Sequence, residues 1–265
     1  MDGSHYSAID VKTADKVTTI SFNRPEARNA INAAVHHELT LIWPEVDADP
    51  DTDVIVLQGS GGSFCAGGDL PWLLGKSGDV VKSVIGNKGN RLITNGILNV
   101  EKPIIAKVDG PAVGLGCSLA LFCDFVFATE RSIFADPHVA VGLVAGDGGA
   151  LLWPQLIGYA RARRYLLTGD AIKAPEAASI GLITQSVADA DELDAVADAM
   201  VQRMLHGAKY AIQFTKSSIN AGLRQLATAV VDRAAAYESL TQMTEDQKIA
   251  IRAFLNKEQP VFEGR

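Results

Sequence analysis

Two glycine-rich segments place backbone amides where they could do chemistry. The first reads GSGGSFCAGGDL (59–70) and the second GPAVGLGCSLALFCD (110–124). Each follows a short apolar run, at 53–59 and 104–108, that predicts a buried strand. Where such turns lead into a helix, their N–H groups converge. Two turns of this kind can aim two N–H donors at one oxygen, which is the arrangement of an oxyanion hole. A flexible turn remains the alternative for the first segment.

Ser118, in the second segment, allows two other interpretations. GLGCSL has the form G-x-G-x-x-L and no acidic residue ends a strand about twenty residues on, which disfavours a dinucleotide-binding fingerprint. GCSLA loosely resembles the nucleophile elbow of serine hydrolases, which requires a later Asp and His. His138 and His206 are the only histidines after Ser118, and neither lies in a clear triad context. We therefore expect Ser118 to be a small residue on a buried helix.

The composition limits the classes of partner. The chain has 265 residues, 48% of them hydrophobic and 21% charged, with a formal net charge of −7. These values are typical of a globular protein with a sizeable core. The negative charge disfavours nucleic acid, because phosphate backbones require clustered Lys and Arg. Small anionic ligands remain compatible with a few local basic residues.

The cysteines and the apolar segments indicate a cytoplasmic protein without a metal site. Cys65, Cys117 and Cys123 are odd in number and their spacing fits no zinc pattern. The start MDGSHYSAID lacks the apolar core of a signal peptide. The longest apolar stretch, around 112–128, is interrupted by small and charged residues, so we expect no membrane span.

The order of the predicted elements indicates an α/β fold, because strand and helix signals alternate from residue 17 to about 187. Strands are expected at 17–22, 53–59, 102–110, 125–129 and 132–137, and helices at 32–43, 86–100 and 116–124. After residue 190 the strand signals stop. A strong amphipathic helix is indicated by the apolar series Leu223, Leu226, Ala227, Val230, Val231, Ala234 and Tyr237. Its apolar face requires a partner, either the core or another subunit. A further helix is expected over 244–259, capped by Thr244.

The whole chain resembles the enoyl-CoA hydratase/isomerase (crotonase) superfamily. Six blocks in order carry the resemblance: FNRPEARNAIN (22–32), SFCAGGDL (63–70), GPAVGLGCSLALFCDFVFAT (110–129), VGLVAGDGG (141–149), LLTGDAIKAPEAASIGLI (166–183) and IRAFLNKEQPVFEGR (251–265). The resemblance implies a spiral of repeated ββα units over 1–190 and a C-terminal helical trimerisation region over 191–265. It also implies an acyl-CoA thioester substrate, with CoA as part of the substrate and no separate cofactor, and a homotrimer or dimer of trimers.

The resemblance also assigns roles to individual residues. The N–H groups of Ala66 and Leu115 become the expected oxyanion donors. The expected CoA-binding positions are Arg24, Ala27, Arg28, Ala66, Gly68, Asp69 and Leu70. Asp69 is more simply explained as the N-cap of the following helix.

The acid–base residues depart from the family's hydratases. Those enzymes carry a glutamate pair where this chain has Ser118 and His138, so we expect slow hydration of crotonyl-CoA. Asp147, in AGDGG, lies in the loop that the family directs at its active site, and it becomes the expected acid–base residue, with His138 assisting. A turn role for Asp147 and a core role for His138 are the alternatives. The implied enzyme is a lyase or isomerase. Hydrolysis or C–C cleavage of an acyl-CoA or a β-dicarbonyl compound, and acyl-CoA binding with weak catalysis, remain open.

Overall fold

The computed structural model describes all of residues 1–265 and has nine strands and nine α-helices. The strands are β1 (Ile9–Ala14), β2 (Val17–Phe22), β3 (Val54–Gly59), β4 (Ile104–Val108), β5 (Pro111–Val113), β6 (Phe125–Thr129), β7 (Ile133–Ala135), β8 (Ile172–Lys173) and β9 (Gln185–Val187). The helices are α1 (Ala33–Ala48), α2 (Leu70–Leu74), α3 (Val80–Asn99), α4 (Leu115–Leu121), α5 (Gly149–Thr168), α6 (Ala174–Ser179), α7 (Ala190–Leu205), α8 (Lys209–Thr241) and α9 (Glu245–Asn256). The predicted α/β class is confirmed.

A six-stranded sheet with the order β1-β2-β3-β4-β6-β9 forms the centre. Only the β1–β2 pair is antiparallel, and the other four pairs are parallel. A second sheet has the order β5-β7-β8. Parallel strands require covered faces, and this explains why β3 and β4 read as continuous apolar runs. The carboxyl ends of β3 and β4 lead into the two glycine-rich segments, and the parallel pairing places these ends side by side.

Several helix boundaries follow local capping rules. The side chain of Asn32 accepts a hydrogen bond from the N–H of Val35, and that of Thr244 accepts one from Gln247, so both predicted N-caps are confirmed. Asp79 caps α3 in the same way, and α3 therefore begins six residues before the predicted start at 86. Strand β1 was not predicted, and the short helix α2 is the helix expected after its N-cap Asp69.

The long helix α8 finds its partner inside the chain. Its residues Ala227, Val231 and Ala234 are buried, while Leu226 and Tyr237 of the same predicted series stay 40% and 51% exposed. The helix packs against α3 and α5 of the preceding region. The division of the chain at residue 190 stays a prediction, because the C-terminal helices and the core share this packing. No helix is both long and apolar enough to cross a membrane.

The contact between the two glycine-rich segments yields a prediction about stability. Gly116 lies so close to the first segment that an added Cβ would stand 2.6 Å from the Cβ of Cys65. Gly116→Ala should lower the free energy of unfolding by about 1–3 kcal/mol through overpacking. Gly222→Ala on α8, where nothing lies within 4 Å, is the control and should leave stability unchanged or raise it by up to about 1 kcal/mol. Urea denaturation measures both, and equal effects would contradict the close packing.

Candidate active site

A cavity of about 180 Å³ gathers most of the residues that the sequence singled out. Both glycine-rich segments reach it, the first through 66–68 and Leu70 and the second through 113–115. Its polar side chains are His36, Lys76, Asn90, His138, Asp147 and Glu238. Its larger apolar side chains are Ile31, Leu70, Trp72, Leu73, Val113, Val141, Leu143 and Phe254. The cavity therefore combines an apolar wall with several titratable groups, as small-molecule sites do.

The first glycine-rich segment presents a different amide from the expected one. The N–H of Ala66 donates to the carbonyl of Arg28 at 3.0 Å, so the fold already uses it. Gly68 forms a parallel bridge with Ile31, in which Asp69 donates its N–H to the Ile31 carbonyl at 3.0 Å. Because successive amides of an extended chain alternate in direction, the N–H of Gly68 points away from Ile31, and it has no backbone acceptor. Ala66 was the expected donor, but its amide is already bonded, so the candidate donor from this segment is the N–H of Gly68.

The second segment places the other expected amide at a helix start. Leu115 is the first residue of α4, where N–H groups have no partner within the helix. Gly114 precedes it with φ of +53°, a conformation that favours glycine, and its own N–H donates to the carbonyl of Ala135 at 2.9 Å. Leu115 lines the cavity. Its amide stays the candidate donor from this segment.

A chain of hydrogen bonds organises the candidate acid–base residues. Ser118 donates its hydroxyl to Oδ1 of Asp147 at 2.9 Å. Nε2 of His138 lies 3.2 Å from the other oxygen of Asp147, and its Nδ1 is hydrogen-bonded to Asp136. Asp147 and His138 thus meet as expected, and Ser118 supports Asp147. Asp136 was not singled out by the sequence.

His138 is the positive charge of this cluster. Burial lowers the pKa of His138, but the two carboxylates of Asp136 and Asp147 outweigh burial and raise that pKa well above the ordinary value of 6.5. Asp136 also lies against the start of α5, where an added Cβ on Gly149 would stand 1.7 Å from Oδ2 of Asp136. The positive end of the helix dipole favours a carboxylate there. Asp136, His138 and Asp147 are metal-ligand types, but hydrogen bonds to carboxylates already occupy both nitrogens of His138.

Glu238 is a second carboxylate in the cavity that sequence reasoning missed. It is 4% exposed on α8, and its Oε1 accepts a hydrogen bond from Gln242 at 3.2 Å. Its Oε2 has no hydrogen-bond partner and lies against Gly146, the residue before Asp147. Burial, with a smaller repulsion from Asp147, raises the pKa of Glu238 from the ordinary 4.5 to about 7, against the attraction of His138 and Lys76. At neutral pH this carboxyl can therefore carry a proton.

Three further polar groups of the cavity were also missed. His36 on α1 and Asn90 on α3 are joined by a hydrogen bond of 2.8 Å. The ammonium of Lys76 lies 3.6 Å from the ring centroid of Trp72. Burial lowers the pKa of His36 below its ordinary value. No motif marks these residues, because helices α1 to α3 meet only in the folded chain.

The expected CoA-binding residues are only partly brought together. Asp69 caps α2 by accepting the N–H of Trp72 at 3.1 Å, and the guanidinium of Arg24 lies 3.6 Å from Asp69. Gly68 and Leu70 line the cavity, while Arg24, Ala27 and Arg28 do not. Ala27 ends a short 3₁₀ helix and Arg28 is exposed. A nucleotide role for these residues stays a prediction.

The buried carboxyl of Glu238 generates a prediction about stability and pH. An acid whose pKa is raised on folding binds its proton more tightly in the folded state, so the free energy of unfolding falls as pH rises from about 4.5 to about 7. Glu238→Gln cannot ionise and should lack this fall. The difference in melting temperature, variant minus wild type, should therefore increase from about pH 4.5 to about pH 7 and stay constant at higher pH. Glu258→Gln, at an exposed position, is the control. A pH-independent difference for Glu238→Gln would contradict the raised pKa.

Comparison with known proteins gives the family. The family model described as enoyl-CoA hydratase/isomerase matches residues 12–265. A crotonyl-CoA hydratase of Syntrophomonas wolfei is 34% identical over 264 residues, covering 97% of this chain and 98% of the relative. A short-chain-enoyl-CoA hydratase of Clostridium acetobutylicum is 33% identical over 251 residues, covering 91% of this chain and 92% of the relative.

Solved structures agree with this result. The crystal structure of an enoyl-CoA hydratase/isomerase from Mycobacterium paratuberculosis superposes with a TM-score of 0.89 at 36% identity, covering 92% of this chain and 97% of that one. The crystal structure of an enoyl-CoA hydratase from Mycobacterium avium subsp. paratuberculosis gives a TM-score of 0.88 at 27% identity, covering 97% of this chain and 99% of that one. The protein belongs to the enoyl-CoA hydratase/isomerase, or crotonase, superfamily.

Proposed function

We propose that the protein catalyses proton transfer on a short 2-enoyl-CoA thioester, as hydration of the double bond or its isomerisation. One observation carries the proposal: two carboxylates in different environments, Asp147 and Glu238, line one cavity with amides that lack backbone partners. A carboxyl group whose pKa is raised is suited to act as an acid opposite a second carboxylate that acts as the base. The names of the two relatives, a crotonyl-CoA and a short-chain-enoyl-CoA hydratase, support a short acyl group.

The amides of Gly68 and Leu115 are the proposed oxyanion donors. Charge that develops on the thioester oxygen during proton transfer at Cα or Cβ requires such donors in a site from which water is excluded. Each amide belongs to a segment fixed by its own backbone hydrogen bonds, Gly68 beside Ile31 and Leu115 beside Gly114. The donors are therefore in place before substrate binds, which is the condition for a large electrostatic effect.

Asp147 is the proposed base. It accepts hydrogen bonds from Ser118 and His138, and each carboxylate oxygen keeps a further lone pair for a proton from water or substrate. His138 is charged at neutral pH, because its pKa is raised well above 6.5, so it cannot be the base there. Its role in the proposal is to orient Asp147 through the contact of 3.2 Å between Nε2 and the Asp147 carboxylate. Glu238, with a pKa raised to about 7, is the proposed acid.

The two reactions use the same groups in different orders. In hydration, Asp147 takes a proton from water while the water oxygen bonds to Cβ, and the electrons of the double bond move toward the thioester oxygen to give an enolate. As the carbonyl re-forms, the electron pair of the enolate takes the proton of Glu238 at Cα. In isomerisation, Asp147 removes a carbon-bound proton, and Glu238 supplies a proton at the other end of the allylic system. The expectation of slow hydration, which rests on Ser118 and His138, stays a prediction, and Asp147 and Glu238 are the carboxylates proposed to act in place of the absent glutamate pair.

A serine nucleophile is disfavoured by the geometry. Ser118 is 1% exposed, and its hydroxyl donates to Asp147 rather than to a histidine. Nucleophilic serines require an adjacent general base that accepts their proton, together with access to the substrate. Hydrolysis and C–C cleavage by an activated water, and binding with weak catalysis, are separated from the proposed reactions by the product assay below.

The proposed enzyme is a cytoplasmic homotrimer or dimer of trimers. Large apolar side chains that remain exposed on the C-terminal helices support self-association, among them Leu240 (65%) and Phe254 (63%). Phe254 also lines the cavity, so a neighbouring copy that covers α9 would help to close the site.

Asp147→Asn tests the proposed reaction. With crotonyl-CoA, the wild type should add water at Cβ without releasing free CoA, and a 3-enoyl-CoA should be converted if isomerisation is the main activity. Asn is nearly isosteric but cannot accept the proton, so kcat should fall about 10²-fold or more with KM within a few-fold. Mass spectrometry of products and a thiol assay for free CoA provide the readout. Release of free CoA, or an unchanged kcat with a lowered melting temperature, would contradict the proposal.

Leu115→Pro tests the oxyanion donor. Proline lacks the N–H but is favoured at the first position of a helix, so the fold of α4 should survive. The kcat should fall by roughly two to three orders of magnitude. Leu115→Ala keeps the N–H and is the matched control, which should retain most of the activity. Wild-type turnover by folded Leu115→Pro would exclude this amide from the reaction.

A further inference from the structure

The part of the cavity wall formed by α1, α3 and the residues after α2 carries polar groups that the proposed reaction does not use. Lys76 follows α2 and lines both the cavity and the neighbouring groove under α3. Its ammonium lies 3.6 Å from the ring centroid of Trp72, and the ring of His36 lies 5.2 Å from the same indole. The lysine is thus held at a defined place in the cavity wall rather than extended into solvent.

Lys76 lacks the partner that a partly buried ammonium normally has. Lysine side chains leave solvent only when they are paired, because the charge loses hydration. No carboxylate oxygen lies within ion-pair distance of this ammonium, and no protein group accepts a hydrogen bond from it. Glu238 is the carboxylate that attracts this ammonium, and with a pKa of about 7 it carries a proton over part of the neutral range. Three N–H donors are therefore available to a ligand.

The position of Lys76 relates it to the acyl group. Lys76 lines the same cavity as Glu238 and His138, and the charges of Lys76 and His138 both lower the pKa of Glu238. A thioester whose carbonyl meets the amides of Gly68 and Leu115 would send its acyl chain into this same cavity. Burial lowers the pKa of Lys76 to about 8, which leaves it mostly protonated at pH 7.

We infer that the substrate is an acyl-CoA whose acyl chain ends in a carboxylate, and that the ammonium of Lys76 binds this carboxylate. The inference rests on the proposed function. The hydrogen-bonded pair of His36 and Asn90 adds polar atoms to the same wall. The CoA phosphates are the other source of negative charge that a lysine could bind. Because Lys76 and Glu238 line the same cavity, a carboxylate on the acyl chain is favoured over the CoA phosphates as the group that Lys76 binds. The experiment below separates the two sources.

Binding of saturated thioesters tests the inference without requiring turnover. The probes are succinyl-, glutaryl- and adipyl-CoA, each paired with its ω-methyl ester, and free CoA. Isothermal titration at pH 7 should show, for at least one chain length, that wild type binds the acid about tenfold or more tightly than the ester, as expected for a charge-assisted hydrogen bond in a partly buried site. Lys76→Met should reduce this ratio to below about twofold, and Lys76→Arg should keep part of it.

Lys82→Met is the matched control. Lys82 lines the neighbouring groove, is exposed and is paired with Asp79 at 3.4 Å, so its loss should leave the ratio unchanged. No preference for the acid in wild type, or a preference that survives in folded Lys76→Met, would overturn the inference. An equal loss of affinity for acid, ester and free CoA would overturn it in favour of phosphate binding. If no CoA thioester binds wild type at all, the proposed function itself fails.

Discussion

The contact of His138 with two carboxylates determines the charge of the cavity. Asp136 and Asp147 are 1% and 3% exposed, and two buried carboxylates without a cation between them would repel each other and lose hydration. The imidazolium satisfies one oxygen of each. Asp136 lies against Gly149, the first residue of α5, and Asp147 precedes Gly149 by two residues, so both carboxylates meet His138 where the loop enters the helix. The orientation of Asp147 therefore depends on His138.

The proposed acid comes from a distant part of the chain. Glu238 lies on α8, which packs on α3 and α5, and the same packing that buries Ala234 and Ala235 removes Glu238 from water. Burial is the main cause of its raised pKa. Fold stability and acid–base chemistry thus share one interface, since any loosening of α8 would hydrate Glu238 and return it toward an ordinary carboxylate.

The sequence predicted the parts of the site that obey local rules. The caps Asn32 and Thr244, the buried strands β3 and β4 and the helix after Gly114 all follow from capping and apolar patterns. Which amide of the first glycine-rich segment is free could not be predicted, because the direction of the Gly68 N–H depends on its pairing with Ile31. Glu238 was missed because its neighbours on α8 read as a packing face, and Lys76 because its loop has no pattern. Their roles arise from contacts between elements far apart in sequence.

The central claim is that His138 is a cation at neutral pH and positions Asp147 as the base. The ¹⁵N chemical shifts of its two ring nitrogens, followed from pH 5 to pH 9 in protein labelled at its five histidines and assigned with His138→Gln, measure this directly. The structure predicts that both nitrogens remain protonated at pH 7, since the neighbouring carboxylates raise the pKa of His138 well above 6.5. Loss of one ring proton between pH 6 and 7 would contradict the account, because His138 would then be neutral where the proposed reaction requires its charge.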